Sequence, residues 1–384
     1  MIQYTAQDIQ FQEGNVASLW YFLHQIPDHR DPRGFRHPLP LVLTIAILAI
    51  CCGRRGYEDI ASWATDYQQD ILREIPFLAG HMPDPSTYYR VFADLDTDAF
   101  EAVVASWVAV YAPSASGDGI AIDGKTTAGD TLHTVAAFVH RLGSVLFQSA
   151  TDMKGKELVV APIVLSHIPL TKRMITMDAL FAQKKICETI TTRGGGYLIT
   201  VKENQETLKN DIELFFDAPP LGRSIEQETT LEKAHGRIET RTLELSRDLT
   251  DYLSWPGLTH VYRISRTVIA KERMTTETAY GIARLLPKKD TPAHALSYLR
   301  GHWCIENRLH WKRDVVFGED QSTIRKHRAA HVMTILRNVV TTIFHTQTTQ
   351  PFRATMQGCA ARPEELFAML QLPSCSSLYQ CITV

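Results

Sequence analysis

The chain has 384 residues, 45% of them apolar and 21% charged, with a net charge of −2. This balance is ordinary for a folded protein, so disorder is not the default reading, and the length leaves room for two domains, or for one large domain with an insertion. A near-neutral protein is not a bulk polycation, so any grip on phosphates must come from local patches; Arg300 to Arg337 holds eight Lys and Arg against four Asp and Glu, a balance that a solvated surface helix would show as well.

Residues 1–14 lack the basic segment and apolar core of a secretory signal. The apolar run Leu41–Cys52 falls short of the roughly 20 residues a membrane span needs, so it reads as a buried helix and no membrane partner is expected. The seven cysteines are odd in number and form no C-x-x-C pair, which speaks against a disulfide framework and fits a reducing cytoplasm.

Residues 15–112 read as helical. Ile60, Trp63, Ala64, Tyr67 and Ile71 give an amphipathic spacing over 57–74, and 86–111 continue it, with Ser86 and Asp98 as expected caps. The stretch 113–119 is a linker by composition, and the pattern then changes. Short apolar strands are predicted at 119–125, 132–140 and 144–155, the last two joined by a hairpin at Leu142–Gly143. A helix over 157–167 contains Pro162; a strand follows over 173–180, a helix over 181–196 stopped by three glycines, and a strand over 197–202. After a helix near 205–216, residues 224–286 are mostly β-like. Helical regions are predicted at about 292–313 and 323–345. This order predicts an α/β fold: an RNase H-like mixed sheet with flanking helices and a β-rich insertion, preceded by an all-helical N-terminal domain. The expected boundaries are 1–112, then 117–345 with the insertion at about 217–288, then a tail over 346–384.

The chemistry rests on carboxylates. Asp123 ends the apolar run Ile120–Ala121–Ile122, and Asp178 ends Ile175–Thr176–Met177. Ligand groups gather at strand ends in α/β sheets, and a shared divalent cation relieves the repulsion of two adjacent acids. In 302–314, His302, Glu306, His310 and Arg313 recur at spacings of 4, 4 and 3, one polar stripe on a helix. Each Asp alone is more often a turn former, and the His–Glu–His stripe is also compatible with a solvated face or a zinc pair, although no further Cys or His completes a zinc site. Glu319 and Asp320 are rival acids that read as loop residues. Trp303 and Trp311 read as packing residues, and Asn204 as a helix cap or an active-site neighbour.

AIDGKT (121–126), TMDALFAQ (176–183), VKENQ (201–205), HGRIETR (235–241) and the HWCIENRLHW string with its trailing FGED (302–320) resemble motifs of the DDE transposases of bacterial insertion sequences, in particular the H-repeat-associated group. DHRDPRGFRHPL (28–39) and PDPSTYYRVFADLD (83–96) resemble that group as well, so the likeness covers roughly residues 15–340. The resemblance implies an RNase H-like catalytic domain with its insertion between the second Asp and the Glu. Asp123, Asp178 and Glu306 would be both the catalytic and the metal-binding triad. Mg²⁺ or Mn²⁺, two ions, would be the cofactor, and terminal inverted repeats and target DNA the partners.

It further implies a homodimer in the DNA complex and residence in the bacterial cytoplasm, at the nucleoid. Related transposases carry Tyr and Arg before the Glu and Lys after it; here Tyr298 and Arg300 precede Glu306, and Lys312 and Arg313 follow, at shifted offsets. Those four, with Lys125, His310 and Arg237 of the insertion, are the expected DNA contacts. Lys125 is as readily a solvated turn residue, and His235 more readily a hairpin turn. Arg30, Arg33, Arg36, Arg54 and Arg55 offer charge for end recognition by the helical region, whose alternative role is self-association. A nuclease without strand transfer and a non-catalytic DNA-binding descendant are the competing readings.

Overall fold

The computed structural model describes residues 18–31, 36–74, 81–127, 132–151, 155–234, 236–271, 273–288 and 291–369. Residues 1–14, Arg33, His235 and the end of the tail lie outside them.

Among the described residues six helices come first: α1 (Leu19–Leu23), α2 (Leu39–Cys51), α3 (Tyr57–Asp66), α4 (Gln68–Glu74), α5 (Pro85–Asp94) and α6 (Thr97–Tyr111). The run read as a buried helix is α2, which has Pro40 in its first turn, where a missing N–H costs nothing. Every other residue of α2 is buried, on all faces. Each Leu or Ile so buried contributes about 1.5–3 kcal/mol. The caps differ from expectation. Asp84 accepts from Thr87 N at 3.1 Å and Asp96 from Ala99 N at 3.0 Å, each two residues before the expected Ser86 and Asp98. A carboxylate at the true N-cap reaches the free amides first and leaves Ser86 to donate to Asp84.

The strands are β1 (Gly119–Thr126), β2 (His133–Val139), β3 (Val145–Thr151), β4 (Met174–Met177), β5 (Gly196–Val201), β6 (Glu226–Ala234), β7 (Arg237–Ser246), β8 (His260–Ala270) and β9 (Arg273–Arg284). Among the described residues they form one nine-stranded sheet ordered β3-β2-β1-β4-β5-β9-β8-β7-β6. Strands β1, β4 and β5 are parallel, and β2 and β3 antiparallel. The arrangement is RNase H-like, and the predicted β-rich insertion is a meander that joins the same sheet through β9 against β5. Predicted strand 173–180 stops at Met177, because a 3₁₀ turn over Ala179–Phe181 follows Asp178. Helix α7 (Glu157–His167) tolerates Pro162 in its interior. Helix α8 (Lys184–Thr192) starts later than predicted, after that turn, and ends at Gly194, whose φ of +72° is the left-handed conformation that glycine adopts freely.

Helix α9 (Glu206–Asp217) covers one face of the meander, and α10 (Pro292–Ile305) lies across the other face of the sheet. Helix α11 (His327–Gln347) is buried throughout 329–344, and α12 (Phe352–Ala361) and α13 (Glu364–Met369) close the described chain. One apolar cluster runs from Leu19 through α2, α11 and the lower sheet face to Phe367. Polar ties reinforce it: His331 meets Glu101 at 3.2 Å, and Asn338 donates to Gln148 at 2.6 Å. Among the described residues no helix is long and apolar enough to cross a membrane.

Candidate active site

Side chains alternate across a strand, so parity decides what can meet. Ala121 packs with Ile305 and Leu309 on the α10 face, while Ile120 and Ile122 pack in the cluster on the other face. Asp123 therefore shares the α10 face. Strand β4 repeats the pattern: Thr176 faces His302 of α10, and Asp178 follows two residues later. Ile122 is level with Met177, so both acids leave adjacent parallel strands at the same carboxyl edge.

The third acid comes from the segment after α10. Here the helix widens into π-helical turns over Glu306–His310 and Lys312–Val316, with the Trp311 amide bonded to Glu306 O and the Phe317 amide to Lys312 O. Such i→i+5 turns are rare and concentrate at functional sites. They leave the Glu306 side chain 52% exposed and aim the 96%-covered His310 at the sheet, where Nδ1 stands 3.5 Å from both Asp123 Oδ2 and Glu306 Oε2. Ligand atoms of Asp123, Glu306 and His310 all lie within 4.8 Å of one another.

Electrostatics follow the crowding. Burial, then the carboxylates of Asp178 and Glu306, push the Asp123 carboxyl up to about 7. Burial raises Asp178 too, against the opposing pull of Lys202. Glu306 is held below its ordinary value by the hydrogen bond from His310, and burial lowers His310. A divalent cation fits this setting. Two of the three groups in the cluster offer hard carboxylate oxygens, and like charges converge. Asp178 Oδ1, at the neighbouring strand end, is also buried without a hydrogen-bond partner.

Residues 109–343 match the family described as Transposase DDE domain, and residues 20–108 match the DDE_Tnp_1-associated family. The chain belongs to the DDE transposase family. It is 31% identical over 338 residues to the H repeat-associated protein YhhI of Escherichia coli K12, covering 83% of this chain and 88% of that one. YbfL of the same strain matches to the same extent. A solved structure, a piggyBac transposase synaptic complex with hairpin DNA, is similar with a TM-score of 0.42 at 8% identity, over 96% of this chain and 79% of that chain.

The transposase's expected DNA contacts divide. Arg313 is corrected: its side chain is fully buried, donating to Glu319 at 2.6 Å, so no face remains for a phosphate. Tyr298 is buried as well, and its hydroxyl donates to Gly117 O at 2.8 Å. His310 faces the acids rather than solvent. The polar stripe thus exists, but His302, His310 and Arg313 turn toward the sheet, where Thr176, Asp123 and Thr134 supply their partners, and only Glu306 is exposed. Lys125 is paired with Asp314 at 2.7 Å. Lys312 stands over the Trp311 ring at 4.6 Å. Arg237 and Arg300 are on the surface, Arg300 joined to Glu232.

Trp303 and Trp311 are not packing residues: they are 64% and 45% exposed. Glu319 is no loop acid either; it is buried between Arg313 and Arg337. Asn204 donates to Ala179 O at 2.6 Å and so holds the turn after Asp178, rather than capping α9. In the helical region, Arg30 is paired with Asp28 and Arg55 donates to Val316 O at 3.0 Å, while Arg36, Arg54 and Arg55 are exposed.

Sequence reasoning missed Asp314 and Glu157. Asp314 stood in the quoted motif but had no visible partner. Glu157 begins α7, and its Cγ lies 3.2 Å from where a Cβ on Gly124 would stand; it adds negative charge near Asp178. His140, Thr176 and His302 form a hydrogen-bonded file at 3.1 Å per step beneath α10. Burial drives His140 down to about 3 and His302 to about 4, so both are neutral there.

Proposed function

We propose that this transposase cleaves DNA at the ends of an insertion sequence and joins the freed 3′-OH to target DNA, with Asp123, Asp178 and Glu306 as its metal-binding triad. The reading rests on the convergence of the Asp123 and Glu306 carboxylates with His310, at the sheet edge where Asp178 ends the neighbouring strand. Mg²⁺ or Mn²⁺, when bound, supplies Lewis-acid stabilisation of charge at phosphorus and a more acidic water. The three acids hold that cation; His310 orients Asp123 and Glu306 through Nδ1; Lys125, positioned by Asp314, lowers the negative potential of the acid cluster. Terminal inverted repeats and target DNA are the proposed substrates, handled by a dimer, since two ends must be joined together.

Asp123→Asn, Asp178→Asn and Glu306→Gln, each tested with Mg²⁺ on duplexes taken from the DNA flanking the gene, are expected to lose cleavage and keep DNA binding. Asp320→Asn, an exposed neighbouring acid, is the control. Full cleavage by any of the three removes that residue from the triad. A pre-cut end offered with plasmid target separates strand transfer from plain hydrolysis.

A further inference from the structure

The meander does more than widen the sheet. Val201, the last residue of β5, is level with Tyr280 of β9. Residues Arg273–Ala279 of β9 therefore run on past the carboxyl edge, with the paired parts of β8, β7 and β6. At about 3.3 Å per residue this wall stands roughly 20 Å above the edge that carries Asp123 and Asp178, more than half of a duplex turn of about 34 Å.

Register also fixes which face looks toward the acids. Leu243 and Leu245 of β7 pack with Leu296 of α10. Arg237, Glu239 and Arg241 share their parity and so their face. Glu232, Arg266 and Glu277 stand directly across from Glu239, Arg241 and Arg266 in the neighbouring strands. On this face Glu239 is buried and gathers three guanidiniums: Arg241 at 2.6 Å, Arg237 at 3.6 Å, and Arg266 in a short hydrogen bond. Their side chains are 19%, 48% and 38% exposed. Three guanidiniums carry about fifteen N–H donors, and one carboxylate accepts about four. Glu232 and Glu277 take a few more at the margins, at 3.4 and 3.5 Å. Among the described residues these carboxylates offer fewer acceptors than the three guanidiniums have donors, and each guanidinium keeps part of its side chain exposed. Arg300 of α10, six residues before Glu306, joins the same set through Glu232, and Lys271 and Arg273 are exposed at the tip of the wall.

We propose that this face is a phosphate-binding wall for duplex DNA, in which Glu239 holds Arg237, Arg241 and Arg266 in a fixed fan beside the catalytic edge. The inference rests on the DNA-processing reading above and adds the surface along which the duplex lies. Backbone contacts of this kind position DNA without reading sequence.

The test is fluorescence anisotropy of the full chain with two labelled duplexes, one from the DNA flanking the gene and one of mixed sequence, titrated with salt. Arg241→Gln combined with Arg266→Gln is expected to weaken both duplexes alike and to reduce the slope of log affinity against log salt by about 2, since each phosphate contact contributes about 0.9. Arg241→Lys with Arg266→Lys is expected to restore most of the slope. Glu239→Gln is expected to weaken binding even though it removes a negative charge, whereas simple charge counting demands tighter binding. Mn²⁺ binding, followed by calorimetry, is expected to be unchanged in all of them. An unaltered slope in the Gln pair, or tighter binding by Glu239→Gln, overturns the wall while leaving the catalytic reading intact. Absence of DNA binding by the unsubstituted chain overturns both.

Discussion

Lys125, two residues past Asp123 on β1, and Asp314, eight residues past Glu306, are joined at 2.7 Å across 189 positions of sequence. This pair ties the strand bearing one acid to the helical segment bearing another. It also keeps the ammonium, only 10% exposed, close enough to lower the Glu306 carboxyl. Asp314→Asn releases Lys125 and is expected to lower Mg²⁺-dependent cleavage about tenfold, equivalent to about 1.4 kcal/mol, with the thermal midpoint nearly unchanged. Cleavage rates and a melting curve on one preparation check it; unaltered rates would show that the pair only fastens the segment.

Asp123 predicts a linked dependence on pH and metal. Its carboxyl is raised to about 7 in the folded chain, against 3.8 ordinarily. A raised acid favours the folded state when protonated, so metal-free stability falls as pH rises from about 4 to about 7. Cation binding must displace that proton, so its affinity rises over the same range. Mg²⁺ is expected to raise the melting temperature more at pH 8 than at pH 6. Asp123→Asn is expected to melt higher than the unsubstituted chain at pH 8 without metal, and to lose the Mg²⁺ response.

His310 stands 3.5 Å from both carboxylates, and Mg²⁺ prefers oxygen donors. Its role is then to hold the acids rather than to bind the ion. His310→Gln, which keeps a donor, is expected to need about tenfold more Mg²⁺ for half-maximal cleavage, within the usual cost of losing an outer partner of a metal ligand. His310→Ala is expected to lose more. Equal loss in both variants, rescued selectively by Mn²⁺, would make the imidazole a direct ligand.

Glu319 is buried, which alone would raise its carboxyl, yet Arg313 and Arg337 bring it down to about 2. A lowered acid contributes stability above its unfolded value near 4.5, and loses it as pH falls toward 2. Glu319→Gln leaves two buried guanidiniums unmatched and is expected to cost about 3–5 kcal/mol. Urea unfolding at pH 7 measures the cost, and its shrinkage toward pH 3 checks the assignment.

The apolar runs ending at Asp123 and Asp178 were legible because strand ends are a local property: a short β-branched run, then a polar turn, with no distant information required. The same holds for α2, too apolar to face water on any side, and for the β-like character of residues 224–286. The polar stripe was legible as a stripe, since side-chain spacing on a helix is also local. Its direction was not. Whether His302, His310 and Arg313 meet solvent or the sheet depends on Thr176, Thr134 and Glu319, which reach them from other elements, and on two π-helical turns that no residue spacing announces. Partner choice for Lys125 and Arg313, the exposure of Trp303 and Trp311, and the rise of the meander above the catalytic edge were likewise decided only by tertiary packing. Contact energies act wherever folding brings groups together, six positions apart for Arg313 and Glu319 or 189 for Lys125 and Asp314, whereas propensity and period register only residue type and spacing.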